Sequence, residues 1–171
     1  MKDIIIGIDP GSRHTGYGVI AVQGDDIEHL THGVIHLKEA WSLPERLKAL
    51  DLRLREVFSR YKASTTVVEK IFFGKNADSA FKLGHARGVA LLVSAQHDAH
   101  VAEYAARYVK KCITGSGAAS KEEVQLMILN TLRLRSEAFA FDASDALALA
   151  VTHARIRDVN AKLQRFLEET P

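Results

Sequence analysis

The chain begins with a run of branched apolar residues that ends in a single carboxylate. Residues 4–8 read IIIGI, and Asp9, Pro10 and Gly11 follow directly. The branched apolar residues predict a buried strand, and the Pro-Gly pair predicts a turn immediately after it. A carboxylate at the end of a buried strand is costly unless a cation pairs with it. We therefore interpret Asp9 as the first ligand of a divalent-metal site.

The composition is that of one ordinary globular domain. The 171 residues are 47% apolar and 26% charged, and the net charge is +2. No apolar run approaches the ~20 residues of a membrane span, so we expect no membrane association. A single cysteine, Cys112, excludes an internal disulfide and a cysteine-rich zinc cluster, and it is typical of a cytoplasmic protein. We divide the chain into a domain at residues 1–157 and a C-terminal tail at residues 158–171.

The order of strand and helix patterns predicts an α/β fold. Short turns join the first three strand patterns into an antiparallel meander, at residues 3–9, 15–22 and 27–37. Two more strands then alternate with helices, the strands at 65–69 and 100–104 and the helices at 43–61, 76–95, 120–134 and 142–157. Ser42 and Ser120 are expected helix caps, and Glu123 completes a capping box with Ser120. This order predicts a mixed five-stranded sheet, antiparallel and then parallel, that is flanked by helices.

Three further acids occupy positions comparable to that of Asp9. Glu69 ends the fourth predicted strand, and Asp142 and Asp145 lie three residues apart in the first turn of the last predicted helix. Because functional sites lie at the carboxyl ends of strands in open α/β sheets, we expect the four carboxylates to meet. Hard oxygen ligands favour Mg²⁺ or Mn²⁺, and phosphodiester hydrolysis can use two such ions about 4 Å apart.

Each of these acids also has a simpler interpretation. Asp9 could stabilise the turn that follows it, and Glu69 could pair with a lysine at the strand end. Asp142 could cap its helix, and Asp145 could be an exposed acid of the first turn. The shared position of all four favours the common site.

Two basic segments accompany the acids. Residues 70–87 contain five basic residues and one acid, and residues 107–121 contain four cations and no acid: Arg107, Lys110, Lys111 and Lys121. Such segments are either solvated faces or surfaces that attract a polyanion, and their place beside the acids favours nucleic acid. The glycine-rich turn after Asp9 lacks the ending of a phosphate-binding loop and precedes a strand, so we interpret it as a hairpin turn.

Four separated segments carry a family resemblance. They read GIDPGSRHTGYGVI at 7–20, VEKIFFGKNADSA at 68–80, GHARG at 84–88 and DASDALA at 142–148. In this order, over about residues 3–155, they resemble the RuvC family of bacterial Holliday junction resolvases. The resemblance implies the ribonuclease-H-like fold and a homodimer that resolves four-way DNA junctions in homologous recombination and DNA repair. It implies paired symmetric nicks in strands of like polarity, Mg²⁺ or Mn²⁺ as the cofactor with two ions per site, and a branch-migration complex of RuvA and RuvB as partner.

The resemblance also assigns roles to individual residues. Asp9, Glu69, Asp142 and Asp145 match the family's catalytic, metal-binding acids, although some relatives carry histidine in place of Asp142. The DNA-binding candidates are Phe72, Lys75, Lys110, Lys121 and Arg13. Phe72 matches an aromatic residue that stacks on a base near the crossover, with a core position as the alternative. The 76–95 helix resembles the family's dimer helix, and packing on its own sheet is the alternative.

Part of the chain departs from the family pattern, and other functions stay open. Residues 115–123 commonly carry more Arg and Gln in relatives, whereas here Lys121 is the one cation. A first alternative is a nuclease of the same fold that processes ribosomal RNA, but such proteins lack the Phe72 segment. A second is a non-catalytic junction-binding scaffold that recruits a branch-migration motor. An actin-like ATPase would need a longer chain.

Overall fold

The computed structural model describes residues 2–70, 77–135 and 139–169, with the side chains of 77–79 and 160–169 left out. Five strands form one sheet: β1 (Asp3–Asp9), β2 (His14–Gln23), β3 (Asp26–His36), β4 (Thr65–Glu69) and β5 (His100–Tyr104). Their order across the sheet is β3-β2-β1-β4-β5. β1 pairs antiparallel with β2, and β2 with β3, whereas β1 with β4 and β4 with β5 are parallel pairs. The predicted mixed sheet is therefore confirmed.

The described helices are α1 (Leu43–Tyr61), α2 (Ala77–Gln96), α3 (Ala106–Thr114), α4 (Lys121–Leu132) and α5 (Phe141–Glu169). α3 is absent from the sequence-based prediction, and α5 extends twelve residues beyond the predicted end at residue 157. No glycine or proline interrupts residues 158–169, so nothing in the local sequence ends the helix there. The division into a domain and a tail at residue 157 stays a prediction. None of the helices in the described ranges combines the length and the hydropathy that a membrane crossing requires.

Each face of the sheet carries its own apolar core. Ile5, Ile20 and Val67 point towards α3, α4 and α5, where they pack with Ile128 and Leu147. On the opposite face, alternate strand residues such as Ile6, Ile8 and Val68 pack against α1 and α2. The alternation follows from the two-residue period of a strand, and it makes the sheet the buried middle layer.

Glycines and alanines bring α5 unusually close to the sheet. A Cβ atom on Gly16 would lie 1.9 Å from the carbonyl oxygen of Asp142, and one on Gly7 would lie 1.9 Å from that of Ala146. The facing residues Ala143 and Ala146 are buried. The backbone of the first turns of α5 therefore lies directly on β1 and β2, at the edge where β1 ends.

Capping boxes define the starts of two helices; the sequence predicts both cap residues and the box at Ser120. The Ser42 backbone N–H donates to Glu45 Oε2 at 2.7 Å before α1. The Ser120 N–H donates to Glu123 Oε2 at 2.6 Å, and the Glu123 N–H donates to Ser120 Oγ at 3.1 Å, before α4. The second box fixes the start of α4 at Lys121.

Candidate active site

Three of the four predicted acids line one cleft at the carboxyl edge of the sheet. β1 and β4 are parallel neighbours, so Asp9 and Glu69 end them side by side. Asp145 reaches the same place from the first turns of α5, which pack on β1 and β2. The cleft has a volume of about 290 Å³. Asp142 lies one turn earlier on α5 and does not line the cleft, although its charge acts on Asp9.

The concentration of negative charge changes the protonation of Asp9. The pKa of the Asp9 carboxyl is raised to about 8, first by burial and then by the charges of Glu69, Asp145 and Asp142, while Lys121 acts to lower it. Burial and Asp145 also raise the pKa of Glu69, while Lys121 and a hydrogen bond with Asp9 lower it. Without a further cation, Asp9 therefore holds a proton at neutral pH and shares it with Glu69.

Two lysines from α3 and α4 complete the wall of the cleft. Lys121 Nζ donates to Asp145 Oδ2 at 2.8 Å, and this hydrogen bond raises the pKa of Lys121. Lys110 Nζ donates to the carbonyl oxygen of Ala119 at 2.6 Å. Both predicted phosphate-binding lysines thus lie at the cleft, and each already has a partner within the chain.

The donor atoms and the charge of these carboxylates suit a hard divalent cation. Oxygen donors and excess negative charge are what Mg²⁺ and Mn²⁺ require. In the part of the chain that the structure describes, however, no three Asp, Glu, His or Cys side chains converge closely enough to form a metal-ligand set. Three of the acids line the cleft, and their side chains would have to converge to ligate a metal ion.

The simpler interpretations of Asp9, Asp142 and Asp145 do not fit this geometry. The turn after Asp9 is closed by Thr15, which exchanges hydrogen bonds with the backbone of Gly11 at 3.3 Å. α5 begins at Phe141, so Asp142 lies inside the first turn and is not the cap residue. Asp145 lines the cleft and pairs with Lys121, so it is more than an exposed acid of the first turn.

Among the other DNA-binding candidates, Arg13 is described and does not line the cleft. Arg13 is exposed and forms an ion pair with Glu39, outside the residues that line the cleft. Phe72 and Lys75 lie outside the described residues. Their roles, like those of the acids, stay predictions.

The sequence-based prediction missed α3, which forms one side of the cleft. Ala106, Val109 and Lys110 of this helix line it. Val109 and Ile113 are buried at a spacing of four, and Gly115 ends the helix with a positive φ of 85°. This spacing and the final glycine were the available signals for a helix.

Comparison with known proteins gives concordant matches. The family described as crossover junction endodeoxyribonuclease RuvC matches residues 5–153. A protein of that name from Bdellovibrio bacteriovorus is 50% identical over 96% of this chain and 98% of its own length. One from Citrifermentans bemidjiense is 45% identical over 92% and 96%. The structure of Thermus thermophilus RuvC in complex with Holliday junction substrate superposes with a TM-score of 0.86 at 33% identity, covering 92% of this chain and 96% of that one. The likeness confirms the predicted ribonuclease-H-like fold.

Proposed function

Because the chain belongs to the RuvC family of crossover junction endodeoxyribonucleases, we propose that it resolves Holliday junctions in recombination and repair. It does so by hydrolysing phosphodiester bonds in two strands of like polarity, at symmetric positions. The observation that carries the proposal is the cleft in which Asp9, Glu69 and Asp145 meet Lys110 and Lys121. Acids that can hold metal ions and lysines that can hold a phosphate are the two requirements of this reaction.

The four acids and the two lysines have different proposed roles. We propose that Asp9, Glu69, Asp142 and Asp145 hold two Mg²⁺ ions, for which Mn²⁺ can substitute. Such ions activate water as a nucleophile and stabilise charge on the phosphate oxygens. Asp9 must release its proton to become a full ligand. Lys110 and Lys121 hold the scissile phosphate for in-line attack, and the products carry 5′-phosphate and 3′-hydroxyl ends.

The remaining partners are proposed from the same family membership. α2 presents exposed Phe81 and Leu92, and space is open above Gly84 and Gly88. This surface supports a homodimer formed through α2, because small and apolar residues allow two helices to approach closely. We place the protein in the cytoplasm, with a RuvA and RuvB branch-migration complex as its partner. Phe72, Lys75 and Arg13 are proposed as further contacts to the junction.

Cleavage of defined substrates tests this function. We expect the chain with Mg²⁺ to nick a synthetic four-way DNA junction symmetrically, to leave linear duplex DNA intact, and to stop when EDTA is added. Denaturing gels with each strand labelled in turn measure the positions. Preferred cutting of structured RNA would favour the ribosomal RNA-processing alternative. Junction binding without nicking in any divalent metal would favour the scaffold.

Lys121 provides a prediction about metal binding itself. The Lys121 ammonium group forms an ion pair with Asp145 and offsets the negative charge of the acids. We therefore expect the Lys121→Gln variant to bind Mn²⁺ about two- to fivefold more tightly than the unmodified chain. The effect is modest because the Lys121 side chain is 55% exposed. Calorimetric titration with Mn²⁺ measures it, with Lys48→Gln on α1 as the matched control. Weaker binding by Lys121→Gln would mean that Lys121 supports the metal-binding arrangement.

A further inference from the structure

A second, open groove lies on the other side of α3 from the cleft. Its volume is about 900 Å³. Arg107, Tyr108 and Lys111 of α3 line it together with the loop between α3 and α4, at Gly115 and Gly117. The lining residues include two cations and no acid. The groove is therefore a positively charged surface beside the acidic cleft.

The loop is shaped to hold the Arg107 side chain. A Cβ atom on Gly117 would lie 2.8 Å from Cγ and 3.3 Å from Nε of Arg107, and 3.2 Å from its carbonyl oxygen. Any larger residue at 117 must displace the arginine stem. The lack of a side chain at Gly117 thus lets the Arg107 stem lie against the loop, with the guanidinium group in the groove.

The two cations of the groove differ from the two of the cleft in their partners. Lys121 pairs with Asp145, and Lys110 donates to Ala119. Within the described part of the chain, Arg107 and Lys111 have no ion pair. Their charges are therefore available for an external anion, and an arginine beside a lysine suits phosphate oxygens.

The groove and the cleft are lined by neighbouring residues of α3. Ala106 and Lys110 face the cleft, while Arg107 and Lys111, each one residue later, face the groove. One residue turns a helix by about 100°. The pair that faces the groove therefore lies about 8 Å from the pair that faces the cleft, measured on the helix surface. Because neighbouring phosphates of one strand are farther apart than the axial rise per nucleotide, this separation corresponds to roughly one nucleotide along the strand.

We propose that this groove binds the backbone phosphate of the cut strand that lies about one nucleotide from the scissile phosphate. Arg107 and Lys111 contact the phosphate oxygens, and Tyr108, whose ring stacks on Tyr104, forms the adjoining wall. The inference rests on the proposed function and adds a subsite to it. It also adds cations to the one that the segment at 115–123 offers, Lys121.

Salt-dependent binding of a fluorescent four-way junction tests the groove, measured by anisotropy in EDTA so that no cleavage occurs. We expect Arg107→Gln with Lys111→Gln to weaken binding about ten- to fiftyfold near 0.1 M salt, and to reduce the slope of log K against log salt by about two. The matched control is Lys48→Gln with Arg60→Gln on α1, which lies on the opposite face of the sheet. An unchanged slope in the groove variant would overturn the proposal.

Neutral methylphosphonate linkages locate the contact. In the unmodified protein, one such linkage about one nucleotide from the cut site should weaken binding about tenfold. In the groove variant, the same linkage should cause no further loss of binding affinity, because the side chains that contact this phosphate have already been replaced. Additive losses would overturn the proposed contact. If the unmodified protein neither binds nor cuts the junction, the proposed function fails, whereas normal cutting with additive losses removes the subsite alone.

Discussion

Asp9→Asn is expected to lower junction cleavage by about 10³-fold or more while junction binding is retained. Asp9 lies between Glu69 and Asp145, so the amide removes the central carboxylate of the cleft. The phosphate-binding lysines are unchanged, which is why binding persists. Single-turnover cleavage and anisotropy measure the two effects, and Asp26→Asn in the β2–β3 hairpin is the control. Near-normal cleavage by Asp9→Asn would contradict the assignment of the metal site.

The same substitution is expected to stabilise the metal-free fold at high pH. The pKa of Asp9 is about 8 in the folded chain and 3.8 as its ordinary value. Between these values the folded state binds more protons than the unfolded state, so the free energy of unfolding falls as the pH rises from about 4 to 8. Asn does not titrate. The stability advantage of Asp9→Asn over the unmodified chain should therefore be absent near pH 4 and complete above pH 8.

The size of this advantage is of the order of a few kcal/mol, which corresponds to roughly 5 °C or more in Tm. Thermal melts in EDTA at pH 4, 6 and 8 measure it. Added Mg²⁺ should raise the Tm of the unmodified chain at pH 8 and have a much smaller effect on Asp9→Asn. A Tm difference that does not change with pH would show that the carboxylates of the cleft do not share a proton.

The sequence predicts the acids of the site better than it predicts how the helices and lysines around them are placed. β1 and β4 are short, branched and buried, so their ends at Asp9 and Glu69 follow from local pattern alone. The pairing of Lys121 with Asp145 joins residues 24 positions apart, and only the packing of α4 on α5 brings them together. Sequence spacing also could not show that Asp142 remains outside the cleft, because that depends on the angle at which α5 crosses the sheet.

α3 was missed for a physical reason. It is nine residues long, and its exposed face carries Arg107 and Lys111, so charge dominates the local pattern. Val109 and Ile113 supply a single apolar pair, which is too little to separate a short helix from a basic loop. The end of α5 was misplaced in a different way, because the family motifs stop near residue 155 while the helical sequence continues.

Gly16→Ala is expected to destabilise the fold by about 3 kcal/mol and to reduce cleavage about a hundredfold in the molecules that remain folded. The new Cβ atom would lie 1.9 Å from the carbonyl oxygen and 2.3 Å from the carbonyl carbon of Asp142. Both are backbone atoms, so relief requires α5 to move away from β2. Such a shift displaces Asp142 and Asp145 from the ends of β1 and β4, and stability and catalysis therefore decline together.

Gly33→Ala provides the matched control, because it makes the same substitution in the same sheet. Its Cβ atom would approach the Tyr17 side chain at 2.7 Å from the hydroxyl oxygen, and that side chain can swing aside. We expect a cost of about 1 kcal/mol and normal cleavage, measured by urea unfolding and single-turnover assays. Equal losses in the two variants would contradict a special role for the contact between β2 and α5. A larger loss for Gly16→Ala would identify this backbone contact as what holds the acids of α5 beside those of the sheet.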